Sequence, residues 1–246
     1  MDVHPIAAAG FGSAPDAYEK GRPGYPEAAV RWLAERTGLA RGATVVDLAA
    51  GTGKLTQSLA RTGAEVIAVE PIAAMRTAIP APARAVEGTA EAIPLESAST
   101  DVVTVAQAFH WFDGDAALAE IHRVLRPGGS LALLWNVRRL EEPVHAAIEE
   151  LIAPYYEGVP RHRQGKWREA FERTTLFGPL EQVEFENEQR LDADGLAARF
   201  GSTSVIAALP AGERSAFLGR VRALAEGGTV TLGYQCRVQV ADRLDN

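Results

Sequence analysis

Val45-Val46-Asp47-Leu48-Ala49-Ala50-Gly51-Thr52-Gly53-Lys54-Leu55-Thr56 reads as a buried strand, a tight turn and the first residues of a helix. Two valines and a leucine make the strand, which stops where the small residues begin. Ala49, Gly51 and Gly53 leave the turn almost without side-chain bulk, so a ligand can lie against bare backbone. The helix that follows presents unpaired N–H groups toward the same spot. A chain built around such a unit is an α/β protein, and the remaining pattern extends it.

From Thr44 onward short apolar runs alternate with helical stretches. Strands are expected at 44–48, 65–69, 84–86, 101–108 and 130–136, with helices at 54–61, 72–78 and 115–125 between them. Arg126-Pro127-Gly128-Gly129 closes the last helix. This spacing implies a parallel sheet covered by helices on both faces, with ligands bound beyond the carboxyl ends of the strands. Ala49–Gly53, Glu70, Glu87–Ala90 and Gln107–Trp111 then share one rim. Before this core, Arg22-Pro23-Gly24-Tyr25-Pro26 forbids helix, and a helix runs from Pro26 to about Thr37 with Gly38 as its stop. After Arg138 the pattern becomes helical at 141–155 and 167–175, strand-like at 183–191, mostly helical at 192–226, and strand-like again at 229–240. The two late, alternating strands imply an antiparallel edge on a parallel core.

A Gly-rich turn with an acidic residue at the end of the next strand is how α/β proteins hold a nucleoside. Glu70, 19 residues beyond Gly51, is placed to accept hydrogen bonds from two ribose hydroxyls. The dinucleotide fingerprint needs a third small residue at position 56, where this chain has Thr56, and the phosphate-loop pattern is absent. The residues alone therefore indicate a nucleoside-bearing ligand without a pyrophosphate.

Asp47-Leu48-Ala49-Ala50-Gly51-Thr52-Gly53 resembles the first motif of class I S-adenosylmethionine-dependent methyltransferases, with Ala49 in place of the first glycine. Val69-Glu70-Pro71 is similar to the acidic second motif, and Glu87-Gly88-Thr89-Ala90-Glu91 to the adenine-side loop. Gln107-Ala108-Phe109-His110-Trp111-Phe112 and Leu125-Arg126-Pro127-Gly128-Gly129 resemble the segments flanking strands four and five. Tyr18-Glu19-Lys20-Gly21-Arg22-Pro23 and His110-Trp111-Phe112-Asp113 point to the type 11 small-molecule branch, which looks like trans-aconitate methyltransferase. The resemblance implies a Rossmann-like doubly wound, mostly parallel seven-stranded sheet with an antiparallel last strand and a helical cap. It implies one domain over 1–246: an N-terminal lid segment at 1–25, a cofactor-binding core at 40–137, cap elements and a late strand at 138–228, and a final strand at 229–246.

The same resemblance implies residue roles. Ala49, Gly51 and Gly53 would lie against the methionine portion of S-adenosyl-L-methionine, with Asp47 ordering the turn. Glu70 would hold the ribose, Ile72 would pack on adenine, and Thr89 and Ala90 would bound its edge. Gln107 and Phe109 would lie near the sulfonium, where an aromatic face attracts a cation by about 0.5–2 kcal/mol. Tyr18 and Arg22 would close over the cofactor, whose product is S-adenosyl-L-homocysteine. His110 is the candidate base and Trp111 a pocket wall; the alternative for His110 is a structural hydrogen-bonding role. The expected reaction is methyl transfer to a small-molecule oxygen, carboxylate or hydroxyl. The alternatives are N- or C-methylation and a non-methylating protein that retains the cofactor fold.

Other residues carry weaker expectations. Tyr155, Tyr156 and Trp167 read first as cap packing. Arg161-His162-Arg163 reads first as a solvated basic turn, with attraction of an anionic acceptor as the alternative. Ser202-Thr203-Ser204 is placed to line an acceptor pocket. The histidines share no metal-ligand spacing, and the lone Cys236 permits neither an internal disulfide nor a cysteine metal site. A net charge of −7 opposes general nucleic-acid binding. The chain has no apolar run of the roughly 20 residues that span a bilayer and no secretory pattern. A cytoplasmic monomer or homodimer without a membrane or nucleic-acid partner is expected.

Overall fold

A computed structural model describes residues 21–245, and every structural statement below concerns those residues. Seven strands form one sheet in the order β3-β2-β1-β4-β5-β7-β6. They are β1 Thr44–Leu48, β2 Glu65–Val69, β3 Arg84–Val86, β4 Thr100–Ala106, β5 Leu125–Arg138, β6 Glu181–Leu191 and β7 Val230–Asp242. β1 to β5 pair in parallel, as the alternation of strand and helix requires. β7 runs antiparallel between β5 and β6, so β6 returns to the common direction at the edge. The expected antiparallel element is thus one inserted strand, the last in sequence. Strand order reverses between β1 and β4, which opens the crevice where such sheets bind ligands.

Burial follows from position. β1 is buried on both faces, whereas the edge strand β6 alternates half-buried and exposed residues. The helices flanking the sheet are α1 Glu27–Thr37, α2 Lys54–Ala60, α3 Ala73–Arg76 and α4 Gly114–Val124. α1 ends at Gly38, whose φ of 71° lets its N–H bond Ala34 O. α1 and α2 pack Ala29, Leu33, Leu55 and Leu59 on one face of the sheet against Val45, Val66 and Val102. α4 starts at Asp113, whose carboxylate accepts from Ala116 N, and buries Ala117, Leu118, Ile121 and Val124 on the other face.

A third apolar cluster lies over the far end of β7. It joins α5 Pro143–Ile152, α7 Ala193–Gly201, α8 Ser204–Ala207 and α9 Ala211–Ala223. Ile148, Ile152, Phe200, Phe217 and Val221 pack there around Tyr234. α6 Arg168–Arg173 instead packs into the main core through Ala170. The N-terminal side of α1 reaches this cap at Gly21, where an added Cβ would stand 2.6 Å from Ala198 O. Only a glycine lets the two backbones approach so closely.

Candidate functional site

β1 ends at Leu48, and the chain turns through Ala49 (φ 55°), Gly51 (φ 60°) and Gly53 (φ 87°). Position 53 admits only glycine, because a Cβ there would meet Pro80 Cδ at 2.8 Å. Ala49 carries a methyl in the left-handed region, which costs about 1–2 kcal/mol. Ala49→Gly is therefore expected to change stability by no more than about 1 kcal/mol, and upward, since the released strain is partly offset by a freer unfolded chain. A fall in melting temperature beyond ~3 °C would contradict that account.

Asp47 is buried beneath the turn and accepts hydrogen bonds from Thr56 Oγ1 at 2.6 Å and Thr104 Oγ1 at 3.1 Å. Burial pushes its carboxyl up to about 6, against the pull of those hydroxyls. Thr56, the residue that departs from the dinucleotide fingerprint, thus ties α2 to β1, and Thr104 ties β4 to the same point. Glu70 ends β2 with only 4% of its surface exposed. Its Oε2 accepts from Gly51 N and its Oε1 from Ile72 N, each at 2.9 Å. Burial raises its pKa while these two amides oppose the rise. A carboxylate has about four acceptor sites, so two remain for a vicinal diol. Beyond β3, the Thr89 hydroxyl is buried without a hydrogen-bond partner, while Ala90 packs into the core.

These groups fit S-adenosylmethionine. The bare turn, the Glu70 carboxylate with two acceptor sites left open and the orphaned Thr89 hydroxyl are compatible with its methionine, ribose and adenine parts. A cleft with about 520 Å³ of open volume runs along the turn, walled by Tyr25, Ala49, Ala50, Gln107, Asn136 and Arg199, among others. Gln107 follows β4 with φ 60°, unusual for a side chain of its size, and its N–H bonds Leu134 O. Arg22 also lines this cleft, anchored through its Nε to Ser202 Oγ and its Nη2 to Ser202 O.

A second cleft, of about 990 Å³, shares Arg22, Gln107, Asn136 and Arg199 with the first. Its further walls include His110, Trp111, Arg138, Tyr156, Arg161 and His162. The structure therefore brings together His110 and Trp111 with Gln107 and Arg22, as the motifs anticipate. It does not bring Phe109 there: that ring is 1% exposed and packs in the core 5.1 Å from Phe171 and 6.2 Å from Trp167. The short 3-10 turn Phe109–Trp111 directs its first ring inward and its next two toward the cleft. Tyr18 lies outside the described residues.

Of the basic turn, only Arg163 is exposed to solvent. The Arg161 side chain is 12% exposed and pairs with Glu149 at 3.0 Å. His162 packs tilted against Trp135 at 4.1 Å and stacks on Trp167 at 5.6 Å. Arg163 reaches the same Glu149, at 2.5 Å. Asn136, Arg138 and Arg199 were not singled out by motif. Asn136 was findable from the rim rule at the end of β5; Arg199 was not, because the cap brings it in from a distant helix. Tyr155 packs edge-on against Phe217 within the cap, while Tyr156 lines the cleft under the Arg161 guanidinium.

Burial holds the imidazoles neutral. It pushes His110 down to about 3, with His162 and Arg22 adding to the effect, and His145 and His162 down to about 4. In the unfolded chain each returns to about 6.5 and binds more protons, so their stabilising contribution is complete above that pH and lost as pH falls toward 4. Asp47 acts oppositely between its ordinary value of 3.8 and about 6. Glu70, also raised by burial, acts in the same sense as Asp47; three imidazoles outweigh these two carboxylates, so the melting temperature is expected to fall from pH 7 to pH 5. A flat or rising profile would contradict the burial of these rings.

Among the described residues no cluster of metal-ligating side chains occurs, and no helix is long and apolar enough to cross a membrane. Comparison with known proteins identifies the family. A methyltransferase-domain family model (Methyltransf_11) matches residues 46–133. An uncharacterised methyltransferase of Mycobacterium tuberculosis H37Rv is 43% identical over 218 residues, covering 87% of this chain and 84% of the relative. A methyltransferase-like protein of Schizosaccharomyces pombe is 36% identical over 80% of this chain and 78% of its own. A solved structure from Anaeromyxobacter dehalogenans, presented as a candidate type II methyltransferase, superposes with TM-score 0.66 at 28% identity, covering 90% of this chain and 97% of that one. The fold and these likenesses define a class I methyltransferase. The chain belongs to the type 11 branch of the S-adenosylmethionine-dependent methyltransferases.

Proposed function

We propose that this enzyme binds S-adenosylmethionine along the Ala49–Gly53 turn and methylates an oxygen of a small-molecule acceptor held in the adjoining cleft, releasing S-adenosylhomocysteine. The observation that carries the reading is the junction of the two clefts at Gln107, just beyond β4, and Asn136, in β5 past its parallel pairing with β4. Bound there, the cofactor supplies a methyl on sulfur whose carbon–sulfur bond breaks with the electron pair leaving on the thioether. The chain contributes alignment and exclusion of water. Gly51 and Gly53 keep the turn low, Glu70 fixes the ribose, Ile72 and the Thr89–Ala90 loop bound the adenine, and Gln107 faces both clefts. Trp111 walls the acceptor side. Proximity of this kind is worth several kcal/mol, which suffices for an activated methyl group.

A carboxylate acceptor brings no proton to remove, whereas a hydroxyl needs a base. An imidazole held near 3 is a weak proton acceptor at neutral pH, which favours the carboxylate and gives His110 a hydrogen-bonding role. Incubation with methyl-labelled cofactor and a panel of acids and alcohols tests this. The expected product is an ester that releases labelled methanol in mild base, with His110→Gln retaining more than about a tenth of turnover. A base-stable ether, together with a ~1,000-fold loss in the variant, would establish the hydroxyl reading and His110 as base. We take the protein to act in the cytoplasm as a monomer or homodimer, without nucleic-acid or membrane partners.

A further inference from the structure

The acceptor cleft is lined by more positive charge than the chain itself neutralises. Arg138, Arg161, Arg163 and Arg199 line it, and no aspartate or glutamate is among its walls. One carboxylate, Glu149, serves three of these: it accepts from Arg138 at 2.5 Å, Arg161 at 3.0 Å and Arg163 at 2.5 Å. Arg138 keeps a buried Nη1 without any hydrogen-bond partner. Arg199 is 7% exposed and has no carboxylate within ion-pair distance among the described residues. Its Nε donates to Tyr234 Oη at 3.1 Å, and its guanidinium lies 5.0 Å from the Phe200 ring.

Buried guanidinium groups without counter-ions are costly, and a binding partner of opposite charge removes that cost. Two more orphaned polar atoms face the same region: His110 Nδ1 and His162 Nε2 are buried without partners. Their rings flank Trp135 at 5.7 Å and 4.1 Å, so the imidazoles and the arginines border one patch of wall. Glu149, by clamping three guanidiniums at once, preorganises them and leaves their combined charge in excess.

We propose that the acceptor is a small organic anion carrying, besides the oxygen that is methylated, an anionic oxyacid group clamped by Arg138, Arg161 and Arg199. The inference rests on the methyltransferase reading above and adds the chemical class of its substrate. Planar guanidiniums bind such groups through paired N–H···O bonds, which fix orientation as well as position. Arg138 and Arg161 line only this cleft and Arg199 lines both, so a molecule anchored among them reaches toward the junction at Gln107. Arg199, from α7, and Arg138, from β5, are therefore specificity-determining residues supplied by cap and sheet.

The test is calorimetric. The full chain is first titrated with S-adenosylhomocysteine, and the saturated complex is then titrated with succinate, phenyl phosphate and the neutral dimethyl succinate at constant ionic strength. We expect an anion to bind and the neutral diester not to bind. Arg161→Gln and Arg199→Gln are each expected to weaken the anion at least about 10-fold, and Arg199→Lys to recover part of the loss. Succinate and phenyl phosphate separate a carboxylate head from a phosphoryl head. Arg161 does not line the cofactor cleft, so unchanged S-adenosylhomocysteine affinity in Arg161→Gln certifies the fold. Equal binding of the neutral diester, unaltered anion affinity in both arginine variants, or no anion binding to a complex that does bind S-adenosylhomocysteine would overturn the proposal. Failure to bind S-adenosylhomocysteine would instead overturn the reading on which it rests.

Discussion

Glu70→Ala is expected to weaken S-adenosylhomocysteine binding by about 100-fold or more. Hydrogen bonds to a charged acceptor contribute roughly 1.5–3 kcal/mol each, and a ribose diol would make two. The substitution also removes the acceptor for Gly51 N and Ile72 N, so the turn after β1 and the start of α3 each lose a tie. Part of the loss is therefore structural, and Glu70→Gln separates the contributions. It keeps an acceptor oxygen and the side-chain volume but discards the charge. We expect Gln to bind with an affinity between wild type and Ala, at a melting temperature near wild type. If Glu70→Ala binds the ligand as tightly as wild type, the ribose assignment is lost.

Trp135→Ala is expected to be the most destabilising single change at the site's base, by about 3–5 kcal/mol. Trp135 is 1% exposed and sits among His110, His162 and Trp167, the last at 5.4 Å between ring centroids. Its loss would leave a cavity that the sheet cannot close, because the β5 backbone at this residue is held in register against Arg237 of β7. At roughly 2–4 °C per kcal/mol for a chain of this size, the melting temperature should drop by about 10 °C. Trp135→Phe should cost much less. The indole Nε1 is buried without a hydrogen-bond partner, so removing that N–H abolishes an unsatisfied donor and offsets some lost contact area. A Phe variant as unstable as the Ala variant would show that the indole makes an interaction absent from this account.

Much of the core was legible because parallel sheets buried on both faces write themselves as continuous apolar runs. Val66–Val69 is such a run, Val45–Leu48 and Val102–Val105 are broken only by Asp47 and Thr104, and the rim rule puts Glu70 and Gln107 just beyond β2 and β4, where the structure has them. The position of β7 was not legible: an alternating strand can pair on either side, and only packing decides that it inserts between β5 and β6. Phe109 was misplaced because adjacency in sequence to the rim does not reveal which way a 3-10 turn points each ring. Thr56 was read only as a departure from another fingerprint; its bond to Asp47 depends on the angle between α2 and β1. The arginine-lined wall was hidden for the same kind of reason. Arg138, Arg161 and Arg199 are far apart in sequence, and only the cap's docking over β7 brings them to one cleft.

We take the turn after β1 and the carboxylate after β2 to form a nucleoside site for S-adenosylmethionine. Calorimetric titration of the wild-type chain with S-adenosylhomocysteine, beside an equal titration with NAD, tests it most directly. We expect one equivalent of S-adenosylhomocysteine to bind with micromolar affinity, about −8 kcal/mol, and NAD to give no saturable heat. Binding of NAD in preference, or no binding of S-adenosylhomocysteine to folded protein, would contradict it.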